Sequence, residues 1–182
     1  MKSYGRMCSL LLLVIGYLCC CSGRVYPAQQ DQADRKQAAA ALHKAVKFFQ
    51  QQVSIQGGYL WRYSADLEKR EGEGKASPST AWVQPPGTPS VGEALLRVYQ
   101  RTGDQFYLDA TRQTAGALVQ CQLRSGGWSY RIEFDPAQRQ KNAYRTNAMQ
   151  TGTRNVTTLD DNTTQAALRF LMHLDHELEF KD

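Results

Sequence analysis

Apolar positions recur at helical spacing in four stretches, separated by polar or glycine-bearing segments. Leu42, Ala45, Phe49 and Val53 share one helical face and predict a helix from about Gln37 to Val53. Gly57-Gly58 stops it. Val91, Ala94, Leu95, Val98 and Tyr99 form a second stripe, with Ser90 and Glu93 spaced as a capping box at its start. Thr102-Gly103-Asp104 ends that helix. A third helix is expected from about Asp104 to Leu123, with Tyr107, Ala115, Leu118 and Val119 on its apolar face. So short a break predicts an antiparallel helical hairpin. The fourth helix, from about Asp161 to Leu178, carries Ala167, Leu168, Leu171, Met172 and Leu174. Tyr59 to Asp66 reads as an extended or looped segment, Glu68 to Ser79 as a solvated loop, and Pro85-Pro86-Gly87 as a turn.

Two of these segments repeat. Gly57-Gly58-Tyr59-Leu60-Trp61-Arg62 and Gly126-Gly127-Trp128-Ser129-Tyr130-Arg131 share the order Gly-Gly, aromatic, any residue, aromatic, Arg. Asp66 and Asp135 follow four residues after each arginine and are its expected salt-bridge partner. Glu93 to Arg97 corresponds to Gln165 to Arg169 in the same way. Helix, Gly-Gly-aromatic loop, polar loop and helix therefore recur, which predicts an all-α fold, an α/α toroid of repeated helical hairpins. Roughly two repeats are present where a closed ring needs more, so the toroid is expected to be incomplete in this chain. The last helix would then expose apolar residues, and self-association is expected.

The amino terminus has its own pattern. Lys2 and Arg6 precede an apolar run from Met7 to Leu18, which gives way to Ser22-Gly23. That is the order of a secretory signal, and the run falls short of the roughly 20 apolar residues of a membrane-spanning helix. The expected division is a signal peptide at 1–23, a linker at 24–36 and the partial toroid at 37–182. The chain is expected to be secreted or periplasmic, without a membrane-spanning helix. Cys19, Cys20 and Cys21 leave a lipoprotein as the alternative, although Gly16-Tyr17-Leu18 suits that cleavage poorly. Only Cys121 lies beyond this region, which excludes a disulfide framework. Setting Lys2 and Arg6 aside leaves 20 basic against 17 acidic residues, a net +3 with no basic run. Anionic partners are favoured weakly, and nucleic acid is not expected.

The densest chemistry lies at Thr158-Leu159-Asp160-Asp161-Asn162-Thr163-Thr164. One aspartate there can cap the following helix. The remaining carboxylate and amide are open to a hard cation or a sugar. Trp61 and Trp128 can stack on sugar faces or fill a core. His173 and His176 suit a helix end better than a metal site.

Thr158 to Asn162, with Thr164 and Arg169-Phe170-Leu171, resembles the threonine–apolar–Asp motif before Arg-Phe-Leu in the pectic acid lyases, polysaccharide lyase family ten. The wider stretches Gly57–Asp66, Ser77–Gly92 and Gly126–Leu174 are similar to exported bacterial proteins related to that family. The resemblance implies an α/α toroid that cleaves polygalacturonate by Ca²⁺-dependent β-elimination, with an arginine base lying further along the family's chain than this sequence reaches. By resemblance, Asp160 and Asp161 belong to the Ca²⁺ and galacturonate subsite. Trp61, Arg62, Trp128, Arg131 and Asn162 are the candidate substrate contacts. No catalytic base is assigned. The alternatives are a non-catalytic carbohydrate-binding toroid and a terpene-cyclase-like helical repeat, the latter lacking its Asp-x-Asp-Asp acid motif here.

Overall fold

Every buried backbone N–H and C=O needs a partner, and that requirement organises the segments between the helices. The computed structural model describes residues 28–147 and 152–179; the expected signal segment lies outside them. Helix α1 (Ala28–Phe48) ends in a π-helical turn, Phe49–Val53. Strands β1 (Arg62–Tyr63) and β2 (Arg70–Glu71) form one antiparallel pair. Strands β3 (Thr80–Trp82) and β4 (Arg131–Glu133) form another. Helices α2 (Thr88–Thr102) and α3 (Gln105–Gln120) make the hairpin, short helix α4 (Pro136–Arg139) follows β4, and a 3₁₀ turn at Asp160–Asn162 leads into α5 (Thr163–Glu177).

This is a mixed architecture, and it corrects the expected all-α toroid: five helices are accompanied by two small antiparallel sheets among the described residues. The Gly-Gly-aromatic segments are not plain helix connections. Each continues into a short strand that pairs with a different segment: Arg62–Tyr63 with Arg70–Glu71, and Arg131–Glu133 with Thr80–Trp82, where Ala81 lies opposite Ile132.

Two further expectations change. Ala28–Lys36, expected within the linker, is helical; its Ala and Gln content favours helix, and Arg35 pairs with Asp31 one turn away at 3.0 Å. The Ser90–Glu93 capping box does not form, because α2 begins at Thr88 with Pro89 in its first turn and no side-chain cap.

The described residues divide into two units, one up to Ala45 and one from Val46 on. In the second, α2, α3 and α5 pack together around Leu96, Leu108, Leu118, Trp128, Ile132 and Phe170. A Cβ on Gly92 would collide with the Phe170 ring, so this glycine permits the close approach of α2 and α5.

The two Gly-Gly loops share their local geometry. Gly57 and Gly126 both adopt left-handed backbone, at φ 86° and 99°. The aromatic residue after each pair, Tyr59 or Trp128, is buried. A threonine hydroxyl in the first turn of a later helix, α2 or α5, clamps it. Tyr59 N–H donates to Thr88 Oγ1 at 3.0 Å and Trp128 N–H donates to Thr164 Oγ1 at 3.2 Å. Each hydroxyl then donates to the carbonyl of the same aromatic residue, at 3.2 and 3.4 Å. The carbonyls also accept from Trp82 N–H and Thr158 N–H, both at 2.8 Å. Trp61 and Tyr130, two residues further on, therefore hold equivalent places.

Candidate functional site

The acidic turn opposes Tyr130 because the Thr158–Trp128 hydrogen bond draws the two segments together. Tyr130 donates its hydroxyl to Asp160 Oδ2 at 3.1 Å. Partial desolvation, followed by donation to Asp160 and the negative charge of Asp161, holds the phenol above its ordinary pKa. Gln84, next to the cis Pro85–Pro86 bond, donates Nε2–H to Asp161 Oδ2 at 2.9 Å. The same glutamine accepts the Trp82 indole N–H on Oε1 at 3.1 Å, and its carbonyl accepts the Trp61 indole N–H at 2.9 Å. Trp61, Trp82, Gln84 and Asp161 thus form one connected chain. The Trp61 and Trp82 rings meet edge to face, 6.0 Å apart.

Neither aspartate caps α5. The residue in the capping position is Asn162, whose side chain makes no cap hydrogen bond. Asp160 Oδ1 accepts the N–H of Asp161 at 3.0 Å. Asp161 and Asn162 both sit in left-handed backbone, at φ 49° and 59°. That conformation costs about 1–2 kcal/mol per non-glycine residue, with Asp and Asn the most tolerant. Both acidic side chains are exposed. Thr163, next in the chain, is buried with no hydrogen-bond partner on Oγ1.

The carboxylate, amide and hydroxyl oxygens here suit a hard cation in kind but not in number. Ca²⁺ takes about 6–8 oxygens, and among the described residues no group of three or more Asp, Glu, His or Cys side chains could hold a metal. A cation at this turn would complete its shell with water or with the oxygens of a ligand.

The remaining candidates separate. Trp61 is half-buried beside the turn. Arg62 is exposed and pairs across the strands with Glu71 at 2.9 Å, while Asp66 accepts from Ser64, so the expected Arg62–Asp66 bridge is absent. Trp128 is a core residue with no exposed surface, its indole N–H donating to Leu118 O at 2.8 Å, and it offers no face to a sugar. Arg131 is exposed beside a separate polar groove. Asp135 caps α4 by accepting Gln138 N–H at 2.9 Å and does not pair with Arg131. Asn162 Oδ1 accepts from Arg169 at 3.3 Å. His173 pairs with Glu93 at 2.7 Å.

Sequence reasoning missed Tyr130 and Gln84. Tyr130 had a usable signal: it occupies in the second repeat the place of Trp61 in the first. Gln84 had none, since its role depends on a contact 77 residues away. Comparison with protein-family models, curated proteins and solved structures finds no match to this chain.

Proposed function

We propose that this is an exported, pectate-lyase-like protein whose acidic turn holds a galacturonate residue of an acidic polysaccharide through a shared Ca²⁺. One observation carries the reading. Asp160 and Asp161 cap no helix, yet Tyr130 and Gln84 hold them side by side in a strained turn. The resemblance of Thr158–Asn162 to the pectic acid lyases supplies the substrate class.

Each residue has a separable part. Tyr130 and Gln84 fix the orientation of the two carboxylates. Both oxygens of Asp160 accept a hydrogen bond, the second from Asp161 N–H, and both side chains remain exposed to a cation. Trp61, tied to the same glutamine, offers a partly open aromatic surface beside the turn. When bound, Ca²⁺ would screen the uronate carboxylate and so favour loss of the adjacent proton, the difficult step of β-elimination. No described side chain is assigned as the base, so binding is the activity read from this surface.

Affinity electrophoresis in gels containing polygalacturonate tests the proposal. The full chain should be retarded in Ca²⁺ and migrate freely with EDTA. Asp160→Asn combined with Asp161→Asn should abolish the retardation while leaving the thermal midpoint near that of the parent. Equal retardation of parent and variant would overturn the assignment.

A further inference from the structure

We infer that a second site, the polar groove on the outer face of the β3–β4 pair, binds a small hydroxylated oxyanion such as a sugar acid or sugar phosphate. The proposal goes beyond the acidic turn and uses different residues.

Strand alternation builds the groove. Ala81 and Ile132 point into the core, with no exposed surface. Their neighbours Thr80, Glu133 and Arg131 lie on the opposite side and line a groove of about 800 Å³. That volume falls within the usual range of small-molecule sites, about 300–1,000 Å³. Arg154 lines it from another segment, positioned by its own backbone. Its N–H donates to Lys141 O at 3.2 Å and its carbonyl accepts from Ala143 N–H at 2.9 Å.

The charges in the groove are committed unequally. Glu133 Oε1 accepts the N–H groups of Phe134 and Asp135 at 3.0 and 3.1 Å, and Oε2 accepts the Thr80 hydroxyl at 3.0 Å. Asp135 is engaged as the α4 cap. The side chains of Arg131 and Arg154 make no hydrogen bond or ion pair among the described residues. Two guanidiniums without partners, beside carboxylates held in place by backbone N–H groups, can turn to an incoming anion, and the fork of an arginine matches the paired oxygens of carboxylate or phosphate.

The other lining groups narrow the class. Ser129, Thr153 and Asn155 offer hydroxyl and amide groups suited to a hydroxylated ligand. Tyr144 is the aromatic residue of the lining, and it is buried, with Arg139 stacked 4.9 Å from its ring centre and its hydroxyl accepting Glu133 N–H at 3.1 Å. No open aromatic slot for a nucleobase results. The acidic turn and the groove are served by alternate residues of one segment: Tyr130 reaches Asp160, while Ser129 and Arg131 face the groove.

Titration calorimetry of the full chain in EDTA decides the matter, with D-galacturonate, glucose 6-phosphate and galactose as probes. At least one of the two anions should bind and galactose should not. A preference for the phosphate or for the acid identifies which oxyanion the groove takes. Arg131→Gln combined with Arg154→Gln should weaken binding at least about tenfold, the scale of one lost charge-assisted hydrogen bond, and added salt should weaken it in the parent. Both arginines are exposed, so an unchanged thermal midpoint is expected and certifies the variant as folded. Asp160→Asn combined with Asp161→Asn should leave anion binding intact, which keeps this result separate from the calcium test. The inference is overturned if neither anion binds, if galactose binds as well as they do, or if the arginine variant binds like the parent.

Discussion

Replacing Thr164 by Val should destabilise the chain far more than the same exchange at Thr163, although the two are adjacent and both buried. The Thr164 hydroxyl receives the Trp128 N–H at 3.2 Å, and Trp128 has no exposed surface through which water could take its place. A methyl group leaves that N–H orphaned, at a cost of about 1–3 kcal/mol. Thr88→Val should cost a similar amount, since it frees the Tyr59 N–H in the same way. Thr111 is the control. Its hydroxyl donates to Tyr107 O, a carbonyl one turn back within α3, so its loss strands no buried N–H and should cost below about 1 kcal/mol. Thr163 Oγ1 has no partner, so Thr163→Val removes an unsatisfied buried oxygen and should be neutral or stabilising. A loss of about 2 kcal/mol corresponds to about 4–8 °C in midpoint for a domain of this size. Urea unfolding at constant m-value, checked by thermal melts, reads all four variants. If Thr163→Val falls as far as Thr164→Val, the threonine-clamp account of the repeat is wrong.

Three other outcomes follow from the packing and the titrating groups. Gly92→Ala should destabilise by about 1–3 kcal/mol, because the added methyl meets the Phe170 ring; an unchanged urea midpoint would mean that α2 and α5 are further apart. Burial pushes the Tyr59 hydroxyl up to about 12 and the Cys121 thiol up to about 11, so the fold favours the neutral form of each. Stability from these groups is fully present below the unfolded values and lost as pH rises through the folded ones. The urea midpoint should therefore fall from about pH 9 to 12, and a flat profile would contradict both burials. Val119, Leu168 and Met172 leave an apolar groove between α3 and α5 open, at 53%, 43% and 67% exposure. The chain should self-associate at micromolar concentration, and Met172→Glu should reduce the scattering; a dye-negative monomer would argue against association through this face.

The helical part of the fold was readable because its signals are periodic or paired in sequence. The α2–α3 hairpin followed from two stripes separated by Thr102-Gly103-Asp104, and Asp104 does cap α3 by accepting Phe106 N–H at 3.0 Å. The sheets were not readable, because strands of two or three residues carry no detectable alternation. The failed Arg–Asp pairings have local causes: Asp66 lies in the turn after β1 and accepts from the Ser64 hydroxyl and Glu68 N–H, and Asp135 is the cap of α4. Arg62 pairs across its sheet with Glu71. Trp61 and Trp128 looked alike in the sequence and differ in place: the first borders the acidic turn, while the second is sealed beneath α3. The acidic turn itself was visible as a run of polar residues. Its left-handed backbone and its partners Tyr130 and Gln84 depend on long-range contacts that no local pattern encodes.

Calcium titration by calorimetry, with and without polygalacturonate, tests the central claim most directly. A turn that offers too few protein oxygens should bind Ca²⁺ weakly alone and much more tightly in the presence of the polymer. Asp160→Asn with Asp161→Asn should remove that gain. Calcium binding of equal strength with and without polygalacturonate, or a gain that survives loss of both aspartates, would contradict the shared-cation reading of this surface.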